Sequence, residues 1–395
     1  MGNKNIPKLR FPEFKGEWEK KKLGDIGDIV TGSTPPTANN LYYNGEFLFV
    51  SPADIHDSRY VINTITTLTQ DGFLKGRKIP SGSTMFVCIG STIGKVAQAK
   101  KECITNQQIN AVLPITTNID FVFSLLEYHS NKIKLLSAVQ AVPIINKTTF
   151  ANYNLYIPNL LEQQKIASFF TAIDQKISQL KRKKNLLEQY KKGVMQLIFS
   201  QEIRFKDDSG QEFPKWKKMT GDALFETVSN KNHNSDLPIL AITQEHGAIP
   251  RDMIDYYITV SKQSVESYKV VEKGDFIISL RSFQGGIEYS EYTGICSPAY
   301  IVLRATQRID HRYFKYYFKT DKYITDLNRK LEGIRDGKMI SYKYFSEIEI
   351  NVPSLPEQTK ISNFLSAING KITHTQNQIE KAEVWKKGLM QQMFV

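Results

Sequence analysis

Ile157-Pro-Asn-Leu-Leu-Glu-Gln-Gln-Lys-Ile-Ala-Ser-Phe-Phe-Thr-Ala-Ile-Asp-Gln-Lys-Ile177 and Val352-Pro-Ser-Leu-Pro-Glu-Gln-Thr-Lys-Ile-Ser-Asn-Phe-Leu-Ser-Ala-Ile-Asn-Gly-Lys-Ile372 are two versions of one text. The match runs without a gap from Ile157–Ser200 onto Val352–Val395 at a constant offset of 195 residues, and 18 of the 44 positions are identical. Self-similarity of this kind marks an internal duplication. Farther upstream the two halves keep only fragments in common, such as Trp18 before Gly24-Asp25 and Trp216 before Gly221-Asp222. The frame is shared and the filling differs.

Both copies carry the period of a long paired helix. Ile166, Ile173, Leu180, Leu187 and Val194 step by seven, with Phe170, Ile177, Lys184, Lys191 and Ile198 beside them. In the second copy the series are Ile361, Ile368, Thr375, Ala382, Leu389 and Leu365, Ile372, Ile379, Lys386, Met393. A heptad seam needs a partner to bury it, and a helix of ~38 residues spans ~57 Å at ~1.5 Å per residue. The other copy is the simplest partner. The first helix leaves the first half and delivers the chain to the second, so side-by-side pairing requires the second helix to run back. The pair is therefore expected to be antiparallel, holding two globular halves apart about a pseudo-twofold axis.

Outward from the helices, residues 23–155 and 220–350 read as short strand-like runs broken by Gly, Pro, Asn and Ser. Examples are Phe47–Val50, Thr84–Ile89, Phe276–Leu280 and Tyr300–Leu303, with helical stretches near Phe121–Val139 and Arg312–Lys330. The fold class is α+β: two mixed domains and a coiled-coil spacer. The expected bounds are 1–158 and 201–353 for the globular domains, and 159–200 and 354–395 for the helices.

The chain's 395 residues suit two domains that bury their own cores. Apolar residues at 41% and aromatics at 11% argue against disorder. A net charge of +12 and a pI near 9.3 favour a polyanionic partner, because cations that neutralise phosphates release condensed counterions. Cys88, Cys103 and Cys296 are too few and too scattered for a disulfide framework or a zinc site. No apolar run approaches the ~20 residues of a membrane span, and a reducing cytoplasm is the expected location.

Several stretches together resemble the specificity subunit of type I restriction-modification systems. In the first half they are Thr31-Gly-Ser-Thr-Pro-Pro36 with Tyr42-Tyr-Asn-Gly45, Ile79-Pro-Ser-Gly82 leading to Gly90-Ser-Thr-Ile-Gly94, and Thr105-Asn-Gln-Gln108. In the second they are Leu237–Thr243, Tyr268–Gly274 and Gly294–Tyr300. The Pro-x-Leu-x-Glu-Gln stretches opening both helices, Pro158–Gln163 and Pro353–Gln358, are the most specific. This resemblance implies a double-stranded DNA reader with two target recognition domains, each binding one half of a split sequence, and helices that set the unread spacer. Catalysis would belong to partners: modification (methyltransferase) subunits, two of them, and restriction (translocase and nuclease) subunits. A specificity partner of a related system with fused nuclease and methylase, or a structural coiled-coil adaptor, are the alternatives.

The residues themselves supply no catalytic set. Gly90-Ser-Thr-Ile-Gly94-Lys95 is one residue short of a phosphate-cradling GxxxxGK, and Val96 stands where that loop needs Ser or Thr. Thr34-Pro-Pro-Thr37 lacks the amide or carboxylate and the aromatic that would hold a flipped base. The six histidines show no metal spacing. No catalytic residue, metal or cofactor is assigned.

Base reading calls for Arg or Lys toward guanine, Asn or Gln toward adenine, and hydroxyls as adaptable donors. The candidates are Arg59, Arg77, Lys78, Ser91, Lys95, Gln107 and Gln108 in the first half, and Gln244, His246, Arg251, Arg281, Ser282, Gln284, Arg335 and Lys338 in the second. Arg281-Ser-Phe-Gln284 is the densest group. Cations at Lys181–Lys184, Lys191 and Lys192 fit either a solvated helix face or spacer phosphates. Phe169, Met195, Phe199, Trp385, Met390 and Phe394 are candidates for docking partner subunits, with packing onto the chain's own domains as the competing explanation.

Overall fold

A computed structural model describes residues 5–56, 58–137, 142–233, 236–254, 265–280, 282–329 and 340–395. The two stretches of repeated sequence form single helices, Leu160–Phe199 and Leu355–Met393. The chain divides into two compact units, one of residues 1–183 with 375–395 and one of residues 184–374. Each unit thus holds the start of one long helix and the end of the other.

Within each unit the two helix segments run in opposite directions. In the first, Lys181 pairs with Glu383 at 2.7 Å and Asp174 with Lys386 at 2.7 Å. Phe170, earlier on the first helix, meets Phe394, later on the second, with ring centroids 5.7 Å apart. In the second unit, Lys191 donates to Asn369 Oδ1 at 3.0 Å. All twenty heptad positions named above are buried or half-buried, including the polar Thr375 and Lys386, and several of them, such as Ile166, Phe170, Ile361 and Leu365, also enter the cores of the units.

The first unit carries a five-stranded sheet of β2 (Gly27–Thr31), β10 (Ile109–Pro114), β7 (Thr84–Val87), β8 (Val96–Ala99) and β4 (Tyr60–Val61), in that spatial order. The first four pair antiparallel, and β4 runs parallel to β8. A four-stranded sheet of β5 (Thr66–Leu68), β3 (Tyr43–Val50), β9 (Cys103–Thr105) and β6 (Lys78–Ile79) is built from strands that interleave with those of the first sheet along the chain. In the second unit the main sheet is β13 (Phe225–Val228), β20 (Ile301–Ala305), β17 (Phe276–Ile278) and β18 (Glu288–Tyr289). Each strand-like run named above falls on a strand: Thr84–Ile89 and Phe276–Leu280 are trimmed at their ends, Phe47–Val50 lies on a longer strand, and Tyr300–Leu303 starts one residue before a strand that runs on to Ala305. The helix expected over Arg312–Lys330 is instead two, His311–Tyr317 and Asp321–Arg329. The chain breaks where Gly286 presses on the Phe318 carbonyl and Lys319 turns to Glu288 and the Gly285 carbonyl.

One lock recurs where each long helix begins. Arg10 grips Glu162 through Nε–Oε1 and Nη2–Oε2, both 2.7 Å. Arg204 grips Glu357 through the same atoms at 3.1 and 2.8 Å. Both glutamate side chains are fully buried. The next residue of the helix also repeats its role: Gln163 Nε2 donates to the Pro158 carbonyl and its Oε1 accepts from Asn118 N. Gln358 does the same with the Pro353 carbonyl and Asp310 N. Asn118 and Asp310 in turn cap the helices Ile119–Lys134 and His311–Tyr317. Glu-Gln recurs in the sequence because it joins helix start, strand end and a second helix cap in one place.

Bidentate charge pairs are strong when both partners are present, and a buried charge left alone is costly. Arg10→Met is therefore expected to cost about 3–5 kcal/mol, read as a lower urea midpoint, and the double change Arg10→Met with Glu162→Leu should recover most of it.

Candidate nucleic-acid interface

The loop Thr31–Thr34 leaves β2 and crosses the turn after β9 at close quarters. A Cβ on Gly32 would lie 2.1 Å from Asn106 O and 2.3 Å from Thr105 Oγ1, so only glycine fits the crossing. The loop is pinned by Gly32 N to Ile109 O (3.0 Å) and Ser33 N to Thr105 O (2.8 Å). Two of the predicted readers attach to it. Arg77 donates from its backbone N to Ser33 Oγ (2.8 Å) and from Nη1 to Thr31 O (2.7 Å). Gln107 accepts the Thr34 hydroxyl at Oε1 (2.6 Å). Both side chains are exposed, as are Lys78 and Ser91.

Three other candidates in this unit have structural duties instead. Arg59 is not a free reader: its guanidinium is bound to Gln98, Thr171, Asp174 and Asp120 and lies over the Phe123 ring, with only 5% of the side chain exposed. Gln108 turns inward, accepting from Asn106 Nδ2 (2.9 Å) and donating to Ile89 O (3.4 Å). Lys95, exposed at the end of the β7–β8 turn, ties that turn to the segment after Pro52–Asp54 by donating from Nζ to Ile55 O at 2.8 Å. That turn is the Gly90–Gly94 stretch, with both glycines at φ +96, and a strand follows it, where a phosphate loop would be followed by a helix.

In the second unit, Gln244 and His246 sit on the turn between β14 (Leu240–Thr243) and β15 (Gly247–Pro250), and Gln284 lies on the short helix Ser282–Gly285. The two pieces meet: a Cβ on Gly285 would touch the Gln244 side chain at 2.6 Å. Gln244, His246 and Gln284 are exposed, whereas Ser282 is buried and accepts from Ser279 N at 2.8 Å, which makes it a turn-former. Arg251 is half-buried. Arg281, Arg335 and Lys338 lie outside the described residues.

Of the six partner-docking candidates, Phe199, Met390 and Phe394 belong to the packing alternative. They are 7%, 6% and 3% exposed and complete the cores of the units they enter. Phe169 and Met195 are half-buried against the same cores, and Trp385, 54% exposed, keeps an open face beside Phe169. Leu186 and Tyr190 are exposed as well, and no sequence signal marks them, because only a folded seam shows which side of a helix is left over. Along the basic runs Lys181, Lys184 and Lys192 have carboxylate partners, while Arg182 and Lys183 stay exposed.

Residues 15–189 and 217–384 match the family described as type I restriction modification DNA specificity domain. The chain belongs to that family. Over 92% of its length it is 24% identical to the type I restriction enzyme MjaIX specificity subunit of Methanocaldococcus jannaschii, covering 89% of that protein. It is 21% identical to the MjaVIII specificity subunit of the same organism, over 98% and 93% of the two chains. The fold is shared with a type-I restriction-modification system S subunit from M. genitalium: the TM-score is 0.62 with 16% identity over 99% of both chains. The two matched segments are the two copies of the domain-and-helix module, so the duplication and the family membership are one observation.

Among the described residues no group of three or more His, Cys, Asp or Glu could hold a metal, and no helix is long and apolar enough to cross a membrane. Burial pushes the thiols of Cys88, Cys103 and Cys296 up to about 12, so they stay protonated and unreactive at neutral pH. His129, 3% exposed, hydrogen-bonds Tyr153 Oη through Nδ1 at 3.1 Å, and burial, with Lys132 nearby, brings it down to about 3.

Two outcomes follow from this geometry. Gly32→Ala should cost about 1–3 kcal/mol by overpacking, measured as a fall in Tm, because backbone rather than a flexible side chain blocks the new methyl. His129 binds its proton less well folded than unfolded, so its contribution is fully present above pH ~6.5 and is lost as pH falls toward about 3. Denaturation curves collected from pH 7 to 4 should show a shallower loss of stability for His129→Gln than for the parent chain.

Proposed function

We propose that this chain is the non-catalytic DNA-reading subunit of a type I restriction-modification assembly. Each unit reads one half of a bipartite double-stranded target, and the paired helices set the length of the unread spacer between the halves. Methylation and cleavage are then carried out by modification and restriction subunits that the chain recruits, with two modification subunits matching the two modules. The observation that carries this reading is the duplication itself. Two modules, each with the same Arg–Glu lock and the same Gln bonds at its helix start, supply two reading surfaces on one chain.

Further support comes from charge and from relatives. A chain of net charge +12 is matched to a polyanion, and exposed Arg182 and Lys183 offer contacts to phosphate that carry no sequence information. The curated relatives named above are called specificity subunits of type I restriction enzymes. Exposed Trp385, Leu186 and Tyr190 on the helices offer apolar surface that the seam does not use, and these are the surfaces we assign to modification subunits.

Inserting one heptad into each long helix, at equivalent positions, tests the spacer. Seven residues keep the seam in register and add ~10 Å at ~1.5 Å per residue, close to three base pairs at ~3.4 Å each. The methylated motif should keep both half-sites and gain about three unread base pairs; an unchanged spacer in an assembled, active complex rejects the ruler.

A further inference from the structure

Arg77 and Gln107 are exposed side chains of the first unit that can make paired hydrogen bonds to a base edge and that one loop fixes in place. The same four residues fix both. Gly32 lets the Thr31–Thr34 loop lie against Asn106, the residue before Gln107. Thr31 O and Ser33 Oγ hold Arg77, and Thr34 Oγ1 holds Gln107. We propose that Thr31–Thr34 is a spine that aims Arg77 and Gln107 into the major groove, and that the half-site read by this unit contains a guanine met by Arg77 and an adenine met by Gln107. This rests on the reading of the chain as a two-site DNA reader.

The hydrogen-bond chemistry leaves the needed groups available. Arg77 is anchored through Nη1, and its Nε and Nη2 make no hydrogen bond among the described residues, so a planar two-donor edge faces outward to match guanine O6 and N7. Thr34 occupies one lone pair of Gln107 Oε1. The other lone pair and both Nε2 hydrogens remain, which is the acceptor-and-donor set that adenine N6 and N7 require. Anchoring before binding also removes part of the rotamer entropy that a long side chain gives up on docking. Arg59 shows the contrast, since its guanidinium is buried and its hydrogen bonds are spent inside the unit. Thr34 acts through Gln107 and is a positioning residue.

Methylome sequencing of cells carrying the full chain with its modification subunits reads the outcome directly. The parent chain should give a split motif with an adenine and a guanine in one half. Gln107→Ala should reduce discrimination at the adenine by about tenfold to a hundredfold, leaving the other half-site and the spacer unchanged. Arg77→Lys, which keeps the charge but not the planar fork, should relax the guanine. Thr34→Val should weaken the same position as Gln107→Ala, and Thr34→Ser, which keeps the hydroxyl, should not. An unchanged motif in Gln107→Ala and Arg77→Lys overturns the proposal, as does a uniform loss of methylation with no change of motif, which is the mark of a phosphate contact. A parent chain with no split motif removes the two-site reading and this pair with it.

Discussion

Each core in this protein is finished by the far end of a helix that began in the other module. Phe394, near the end of the second long helix, packs with Trp18, Phe121, Tyr128 and Phe170 in the first unit. Phe199, at the end of the first long helix, packs with Tyr313 and Tyr317 in the second. Phe199 and Phe394 are one repeat position, and Phe121 and Tyr313 each follow their helix cap by three residues. Neither core closes without the exchange. The antiparallel course of the helices, the heptad seam and the recurrence of Phe at both ends all follow from that requirement.

The exchange is made with different chemistry in the two units. At equivalent positions the first unit has Thr171, Asp174 and Lys386, and the second has Ser366, Asn369 and Lys191. Lys386 meets Asp174 and Glu127, while Arg59 binds Asp174 and Asp120, so five charges are gathered around Phe123. Burial raises the Glu127 carboxyl above its usual range, with Lys386 and Arg59 pulling it back. In the second unit Lys191 has a neutral amide and the Tyr316 ring, and burial lowers its pKa. A lysine that buries its stem and keeps its head polar fits both sockets, which accounts for the identical Lys at both positions. Removal of one member is more serious in the charged socket, because it strands the others.

The same economy governs the reading surfaces. Polar loop residues divide between those that hold a loop and those that the held loop turns outward. Gly32, Ser33 and Thr34 hold; Arg77 and Gln107 face out. In the second unit the pair Lys319 and Glu288 adjoins the helix Ser282–Gly285, with Lys319 on the Gly285 carbonyl, so the loop is supported by an ion pair whose carboxylate is buried. Desolvation raises Glu288 and lowers Lys319, and each offsets the other's cost.

By itself the sequence determined the duplication, the two long helices with their seam, the antiparallel course, the α+β class and the resemblance to a specificity subunit. These are legible because a heptad period and a constant offset are properties of spacing, and spacing survives without coordinates. Tertiary structure alone decided which residues do what. Arg59 and Gln107 look alike as loop residues, and only folding shows that one lies among Asp120, Asp174 and Phe123 while the other is turned outward on Thr34. The Arg10–Glu162 lock joins residues 152 positions apart, and Phe394 reaches a core built from residues near the chain's start. Burial and partnership are pairwise and long-range, so no local pattern carries them.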